Sequence, residues 1–244
     1  MNGRPGAGPV VDAVIPALNE ETALGLVLAA IPRPPIRRVV VADNGSSDRT
    51  VEVALAHGAR VVREPRRGYG SACLRGLAAL RADPPGIVLF LDADASDDPA
   101  EAPRLIEPIA AGRADLVVGS RVLGGADPGS LTPAQRFGNR LATRLLRLLH
   151  GASYTDLGPF RAIRWSSLES LGMRDPDFGW TVEMQIKAAR RGLRHVEVPV
   201  SYRRRVGRSK ISGTVGGTIR AGAKILGLIA LDWLRHGPRG RGAA

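Results

Sequence analysis

The sequence predicts an α/β fold: an open, mostly parallel twisted sheet with helices on both faces, in a single domain. Three observations predict it. Short apolar runs alternate with helical stretches of roughly ten residues through the first half of the chain. Gly58, Gly112 and Gly192 each stand between a helical pattern and the strand that follows, where a left-handed cap is expected. The chain has 244 residues, enough for a substantial core, and no repeat or composition break marks a second domain.

The elements follow in order. Residues 10–15 predict a first strand and 20–30 a helix; 36–42 predict a second strand, with a helix over 48–57 closed by Gly58. Residues 59–62 are a third strand, and 71–81 a helix. Five apolar residues at 87–91 predict a buried fourth strand. The next helix ends near Gly112, and 116–119 make a fifth strand. Beyond residue 120 the rhythm breaks in a loop holding Gly124, Gly125, Pro128, Gly129 and Pro133. A basic helix over 134–149, a helix over 181–191, a strand over 195–198 and a terminal helix over 213–235 complete the reading. Residues 1–9 read as a flexible leader and 236–244 as a disordered tail. The domain between them, 10–235, divides near residues 121–122, where the strand–helix rhythm breaks.

The net charge of +12 points to an anionic partner. It is concentrated where Arg203, Arg204, Arg205, Arg208 and Lys210 follow one another closely. Aromatics are only 4% of the chain, too few for stacking platforms, so a nucleic-acid-binding module is disfavoured. The single cysteine, Cys73, excludes an internal disulfide framework and implies a reducing cytosol. No signal peptide is visible. No run reaches the ~18 apolar residues of a membrane span, and 219–231 is interrupted by Arg220 and Lys224.

The chemistry is concentrated where the fourth strand runs into Asp92-Ala93-Asp94. Ligands of open α/β sheets bind at the carboxyl ends of strands. Hard cations there use one or two carboxylates plus substrate phosphates. Three more loops leave earlier strands: Pro16-Ala17-Leu18-Asn19-Glu20-Glu21, Asp43-Asn44-Gly45-Ser46-Ser47-Asp48, and Glu64-Pro65-Arg66-Arg67-Gly68-Tyr69-Gly70. All four should converge on one crevice. Asp43 is suited to accept hydrogen bonds from a base or ribose. Gly68 and Gly70 permit close backbone approach ahead of a helix. Ser47 and Asp48 read as helix caps and Asn19 as a turn residue. A nucleotidyltransferase would need a Gly-rich loop with a Lys after the first strand, which Pro16-Ala17-Leu18-Asn19-Glu20 lacks. The four histidines share no ligand spacing.

Taken together, these loops resemble family 2 glycosyltransferases of the GT-A fold, and most closely the dolichyl- or polyprenyl-phosphate sugar synthases. The likeness spans about residues 10–230. Val14-Ile15-Pro16-Ala17-Leu18-Asn19-Glu20 is similar to the family's opening nucleotide loop, and Asp92-Ala93-Asp94 matches its metal motif. Asp43-Asn44-Gly45-Ser46-Ser47-Asp48 resembles its Asp-Asp-Gly-Ser-x-Asp segment, with Asn44 in place of the second Asp. Gly119-Ser120-Arg121 is similar to a segment whose Arg reaches the donor phosphates. Thr155-Asp156-Leu157-Gly158-Pro159-Phe160-Arg161 resembles the acceptor-side segment, and Arg205-Val206-Gly207-Arg208-Ser209-Lys210 the basic phosphate-clamping loop. Ser96 stands where related synthases often carry Gln near the metal.

The resemblance implies a nucleotide-sugar site of Pro16, Ala17, Leu18, Glu20 and Asp43, with Arg67, Gly68, Asp92, Ala93, Asp94 and Arg121. Asp92 and Asp94 would hold Mg²⁺ or Mn²⁺. Arg161, Trp180, Arg205 and Lys210 are the acceptor and phosphate candidates. A phosphate nucleophile needs no strong base, whereas an alcohol does. Asp156 is then the first candidate base and Glu183 the second, with a salt bridge from Glu183 to Lys187 as its alternative. In the terminal helix, Ile219, Leu226, Ile229 and Trp233 form one stripe and Arg220, Lys224 and Arg235 another. Such a helix lies on an anionic membrane or packs as a core or dimer helix. The expectation is an inverting, metal-dependent hexosyltransferase using a UDP- or GDP-sugar and a polyprenyl phosphate at the cytoplasmic membrane face. A soluble phosphorylated acceptor such as a glycerate is the alternative.

Overall fold

A computed structural model of the chain describes residues 8–207 and 215–237. Seven strands form one sheet: β1 (Val11–Ala17), β2 (Ile36–Asp43), β3 (Arg60–Arg63), β4 (Ile87–Phe90), β5 (Leu116–Ser120), β6 (Arg161–Arg164) and β7 (His195–Pro199). Nine helices are described: α1 (Leu24–Ala30), α2 (Thr50–Ala56), α3 (Tyr69–Leu80), α4 (Ala102–Ala110), α5 (Arg121–Gly124), α6 (Pro133–His150), α7 (Trp165–Leu171), α8 (Trp180–Arg190) and α9 (Val215–His236). The sheet order is β3-β2-β1-β4-β6-β5-β7.

Alternation along each strand builds the two-faced core. Ala13 and Ile15 of β1 point to one layer, with Leu24, Val27 and Leu28 of α1, Ala54 of α2, and Leu105 and Ile109 of α4. Val14 points to the other, with Cys73 and Leu77 of α3 and residues of α6, α7, α8 and α9. Ile87, Val88, Leu89 and Phe90 are wholly buried, as expected of a central strand covered on both faces. Gly58, Gly112 and Gly192 have φ of +70°, +70° and +67°, so the predicted left-handed caps are present.

The second half joins the sheet through β6 and β7. β6 pairs antiparallel with both β4 and β5, while the remaining pairings are parallel. Neither β6 nor α7 was expected from the sequence. β6 reads Arg-Ala-Ile-Arg, too short and too charged to register as a buried strand, yet Arg161 is 0% exposed. Because β6 runs backwards, β1, β2, β4 and β5 still send their carboxyl ends to the same edge.

The terminal helix resolves toward the core. Ile229 is buried, and Ile225, Leu226 and Leu228 pack against the layer that holds α6 and α8. His150 Nε2 lies 3.1 Å from the Ile229 carbonyl, and Arg190 pairs with Asp232. Of the two readings open for the apolar stripe, membrane face or core helix, Leu226 and Ile229 follow the second, packed within the protein. No helix among the described residues is long and apolar enough to cross a membrane.

Candidate active site

Two cavities open where the strands end, and they meet at the acids. The first, about 360 Å³, is lined by Pro16, Ala17 and Leu18 after β1, Asn44 after β2, Arg67, Gly68 and Tyr69 before α3, and Asp92, Ala93 and Asp94 after β4. Glu20, Asp177, Phe178, Arg205 and Arg220 close it. The second, about 510 Å³, is lined by Arg121, Gly129, Ser130, Thr132, Gln135, Tyr202 and Arg204 among others. Tyr69, Asp92, Asp94, Phe178 and Arg205 face both.

The loops around the first cavity hold one another in place. Asn19, at φ +52°, accepts from the Ser47 amide at 2.8 Å and donates its own amide to Ser46 Oγ at 2.9 Å. Asp48 accepts from the amides of Glu21 and Thr50, so it ties two loops together rather than capping α2 alone. Asp43 is 3% exposed, and its Oδ1 accepts from the Ser46 amide; its neighbour Asn44 lines the cavity. Asn44 donates to the carbonyls of Glu64 and Arg66 and accepts from the Gly68 amide. The amide side chain thus does work that a second carboxylate cannot, since a carboxylate donates no hydrogen bond.

Gly68 and Gly70 are required by the protein's own backbone. A Cβ on Gly70 would collide with the Asp175 carbonyl oxygen, and one on Gly68 with that of Pro176. This close approach seats the 175–178 segment over α3, where the Ser71 amide donates to Pro176 at 2.8 Å. It also carries Phe178 to the junction of the two cavities.

Three carboxylates gather after β4, Asp94 and Asp97 buried and Asp92 half-buried at the cavities. Burial, then the neighbouring Asp94 charge, pushes Asp92 up to about 7. Its Oδ1 has no hydrogen-bond partner among the described residues. Asp94 Oδ1 accepts from the Ser96 amide at 3.0 Å and from the Ser96 hydroxyl, and its Oδ2 lies 3.3 Å from Arg205. Asp97, unanticipated from the sequence, is 4% exposed, and neither of its oxygens has a hydrogen-bond partner among the described residues. Burial and the two other acids push it well above the usual carboxylate range. Arg205 also pairs with Glu20 at 2.9 Å. Arg205 thus bridges Glu20 and Asp94, and an oxygen of Asp92 is unmatched among the described residues. A hard divalent cation fits such a set. No group of three or more candidate ligands occurs among the described residues, so the remaining positions would fall to diphosphate oxygens and water.

On the second cavity, Arg121 is fixed from behind. Its amide and Nε donate to Asp156 Oδ2 at 2.8 and 2.7 Å, and Nη2 donates to Oδ1 at 2.7 Å. Burial opposes its charge, but the bonds to Asp156 outweigh that and hold the guanidinium above its ordinary value. Its Cζ sits 4.9 Å from the Tyr202 ring centroid, a cation–π contact. Glu197 anchors the turn by accepting from the amides of Thr155 and Asp156.

Four residues anticipated for catalysis or acceptor binding sit elsewhere or are engaged. Asp156 is 1% exposed and saturated by Arg121, so it is not placed as a general base. Glu183 accepts from the amides of Arg174 and Asp175 and pairs with Lys187 at 2.7 Å, the alternative foreseen for it. Arg161 donates to the carbonyls of Gly158, Leu157 and Thr181 within the core. Trp180 packs edge-on against Phe90, with centroids 6.0 Å apart. In each case a polar or aromatic residue near a motif is used to hold the loop that carries the motif. Lys210, with Arg208 and Ser209, lies outside the described residues. The structure adds Tyr69, Phe178, Tyr202, Arg204 and Arg220 to the cavity linings; Tyr69 lies in the third loop, Arg204 in the basic cluster and Arg220 in the cationic stripe of the terminal helix, but none was named as a site residue.

Comparison with known proteins converges on the same chemistry. The model of glycosyl transferase family 2 matches residues 12–172. A Mycobacterium tuberculosis protein described as an uncharacterised glycosyltransferase is 43% identical over 218 residues, covering 88% of this chain and 95% of its own. The dolichyl-phosphate hexose transferase of Haloferax volcanii is 36% identical over 206 residues, covering 84% and 87%. Among solved structures, glucosyl-3-phosphoglycerate synthase from M. tuberculosis, in complex with Mn²⁺, UDP and glucosyl-3-phosphoglycerate, superposes with a TM-score of 0.74 at 26% identity. That match covers 99% of this chain and 88% of the other. With its open sheet, its paired acids at the end of β4 and these relatives, the chain belongs to glycosyltransferase family 2 and is a glycosyltransferase of the GT-A fold.

Proposed function

We propose that the protein transfers a hexose, with inversion, from a nucleotide-diphosphate sugar to a polyprenyl phosphate. One observation carries the acceptor side. Asp92 and Asp94 are the only carboxylates among the described residues lining the second cavity, which also holds Arg121, Arg204 and Arg205. A phosphate monoester, with a second pKa near ~6, is already ionised at neutral pH and needs no base. An alcohol would need one within hydrogen-bond reach.

In this reading the first cavity takes the nucleotide sugar and Asp92 and Asp94 hold Mg²⁺ or Mn²⁺. The cation would supply Lewis-acid charge at the diphosphate. Pro16, Ala17, Leu18, Glu20 and Asp43 frame the nucleoside, and Arg67 and Gly68 border it. Arg205, 3.3 Å from Asp94, would be available to phosphate oxygens when Asp94 is engaged with the cation. Arg121, expected at the donor phosphates, lines the second cavity instead and, held rigid by Asp156, orients the acceptor phosphate in this reading; fixed charge of this kind requires no reorganisation as the reaction proceeds. Lys210 joins the same clamp through the basic loop. Tyr69 and Phe178, at the junction, exclude water from the anomeric carbon. An acceptor oxygen then forms the new bond to that carbon as the bond to the diphosphate breaks, and the nucleoside diphosphate departs.

Transfer to a soluble phosphorylated acceptor is the second reading, favoured by the solved neighbour that holds glucosyl-3-phosphoglycerate. A transfer assay decides between them. UDP-glucose, UDP-N-acetylglucosamine and GDP-mannose, each with Mn²⁺, are offered with a short-chain polyprenyl phosphate or with 3-phosphoglycerate. The expected product is a polyprenyl-phosphate sugar of inverted configuration. Turnover with 3-phosphoglycerate alone would replace the first reading by the second.

A further inference from the structure

The outward side of α6 has a composition that neither the core nor the cavities explain. Arg136, Arg140, Arg144 and Arg147 are all exposed there, and none has an ion-pair partner among the described residues. At 3.6 residues per turn they span roughly 80° of the circumference, and Phe137 and Leu148 extend the strip to roughly 120°. Phe137 is 70% exposed and Leu148 66%. The helix has 18 residues and no acid. Its opposite face is built differently, with Ala142, Leu146 and His150 buried. A helix that needed only solubility would mix signs of charge and leave no phenylalanine outward.

The strip begins at the mouth of the second cavity. Thr132 caps α6, and Thr132 and Gln135 line that cavity. At the far end, His150 meets Ile229 and Asp232 of α9.

We propose that this face of α6 docks on an anionic phospholipid surface. The arginines meet headgroup phosphates while Phe137 and Leu148 enter the acyl boundary. The inference rests on the polyprenyl-phosphate reading, because it places the second cavity at the plane where a lipid-linked phosphate sits. Charge complementarity selects the occupant: four arginines in one strip without an ion-pair partner among the described residues, in a chain of net charge +12, match anionic lipid rather than a neutral bilayer.

Vesicle sedimentation tests it with the full-length protein. Vesicles of phosphatidylcholine and phosphatidylglycerol should pellet the wild type at low salt, and phosphatidylcholine alone should not. Each arginine near such a surface is worth about a fivefold change in partitioning. Arg140→Glu/Arg144→Glu/Arg147→Glu should therefore lower binding about 100-fold or more, and Phe137→Ser/Leu148→Ser should lower it independently. Both variants should keep the wild-type thermal shift with UDP and Mn²⁺ and the wild-type rate on a short-chain, water-soluble polyprenyl phosphate. Wild type that stays in the supernatant, or an arginine variant that pellets like wild type, overturns the proposal. So does a variant that converts a dimer to a monomer in sedimentation velocity, which would make the strip a self-interface. If the wild type binds vesicles through α6 but ignores the short-chain acceptor, the docking surface stands and the acceptor reading falls.

Discussion

The two cavities meet at the same acids but are built by different means. The first is made from loops that leave β1, β2 and β4, so its residues follow strands in a regular rhythm. The second is assembled from the segments after β5, before α6, before α8 and after β7, with Arg121 held by a carboxylate 35 residues away. A cavity at successive strand ends is written locally in the chain. A cavity built across a backward strand and three long connections is a property of the packing. The contrast explains why most of the first cavity's lining could be named from the motif loops, although Asp43 and Arg121 do not line it. Around the second cavity, Asp156, Glu183 and Trp180 are engaged with the protein itself.

Three measurements would break or sharpen that contrast. The largest effect is expected at the shared acids. Asp94→Ala should lower turnover by about 10³-fold or more. It should also abolish the thermal shift given by UDP with Mn²⁺ while the apo protein stays folded. Normal turnover in this variant would remove the cation from the mechanism. Next comes Asp156→Asn, which keeps the shape but weakens the grip on Arg121. Breaking a buried pair from one side costs about 3–5 kcal/mol, and an amide that retains one bond should fall below that. The variant should raise the acceptor KM about tenfold or more, with donor KM unchanged and the pH profile of kcat unmoved. A lost limb in that profile would instead restore Asp156 as a base.

The smallest effect concerns the metal-free protein. Asp92 rises from an ordinary aspartate value to about 7 on folding. The folded state therefore holds this proton more tightly than the unfolded chain does. The associated stability is present at low pH and is lost as pH climbs through about 7. Asp97, raised in the same direction, adds to it. The melting temperature without metal should fall by a few degrees between about pH 5 and 8, at about 2–4 °C per kcal/mol for a chain of this size. Mn²⁺ should reverse the fall at the upper pH, and Asp92→Asn should flatten it. A melting temperature that rises over that range would contradict the buried-acid account.

Much of the layered sheet was legible because burial on two faces imposes continuous apolar runs, as at Ile87–Phe90, and because helices end on glycines such as Gly58 and Gly112. β6 was illegible for the opposite reason. Its two arginines look like a loop until the core supplies carbonyls for both of them. Trp180 and Phe178 are two residues apart with exchanged roles, one in the core and one at the cavities. No local pattern separates them.

By itself the chain determined the fold class, the strand ends at which ligands gather, and the acids at 92 and 94, because each follows from periodicity and from chemistry within a few residues. Only the tertiary structure decided which charged groups face a cavity and which hold a loop. A side chain's partner is set by what packs against it, and for Arg121, Arg161 and Glu183 that partner comes from another segment. Burial then forces each such group to find a hydrogen bond there, whatever its motif suggests.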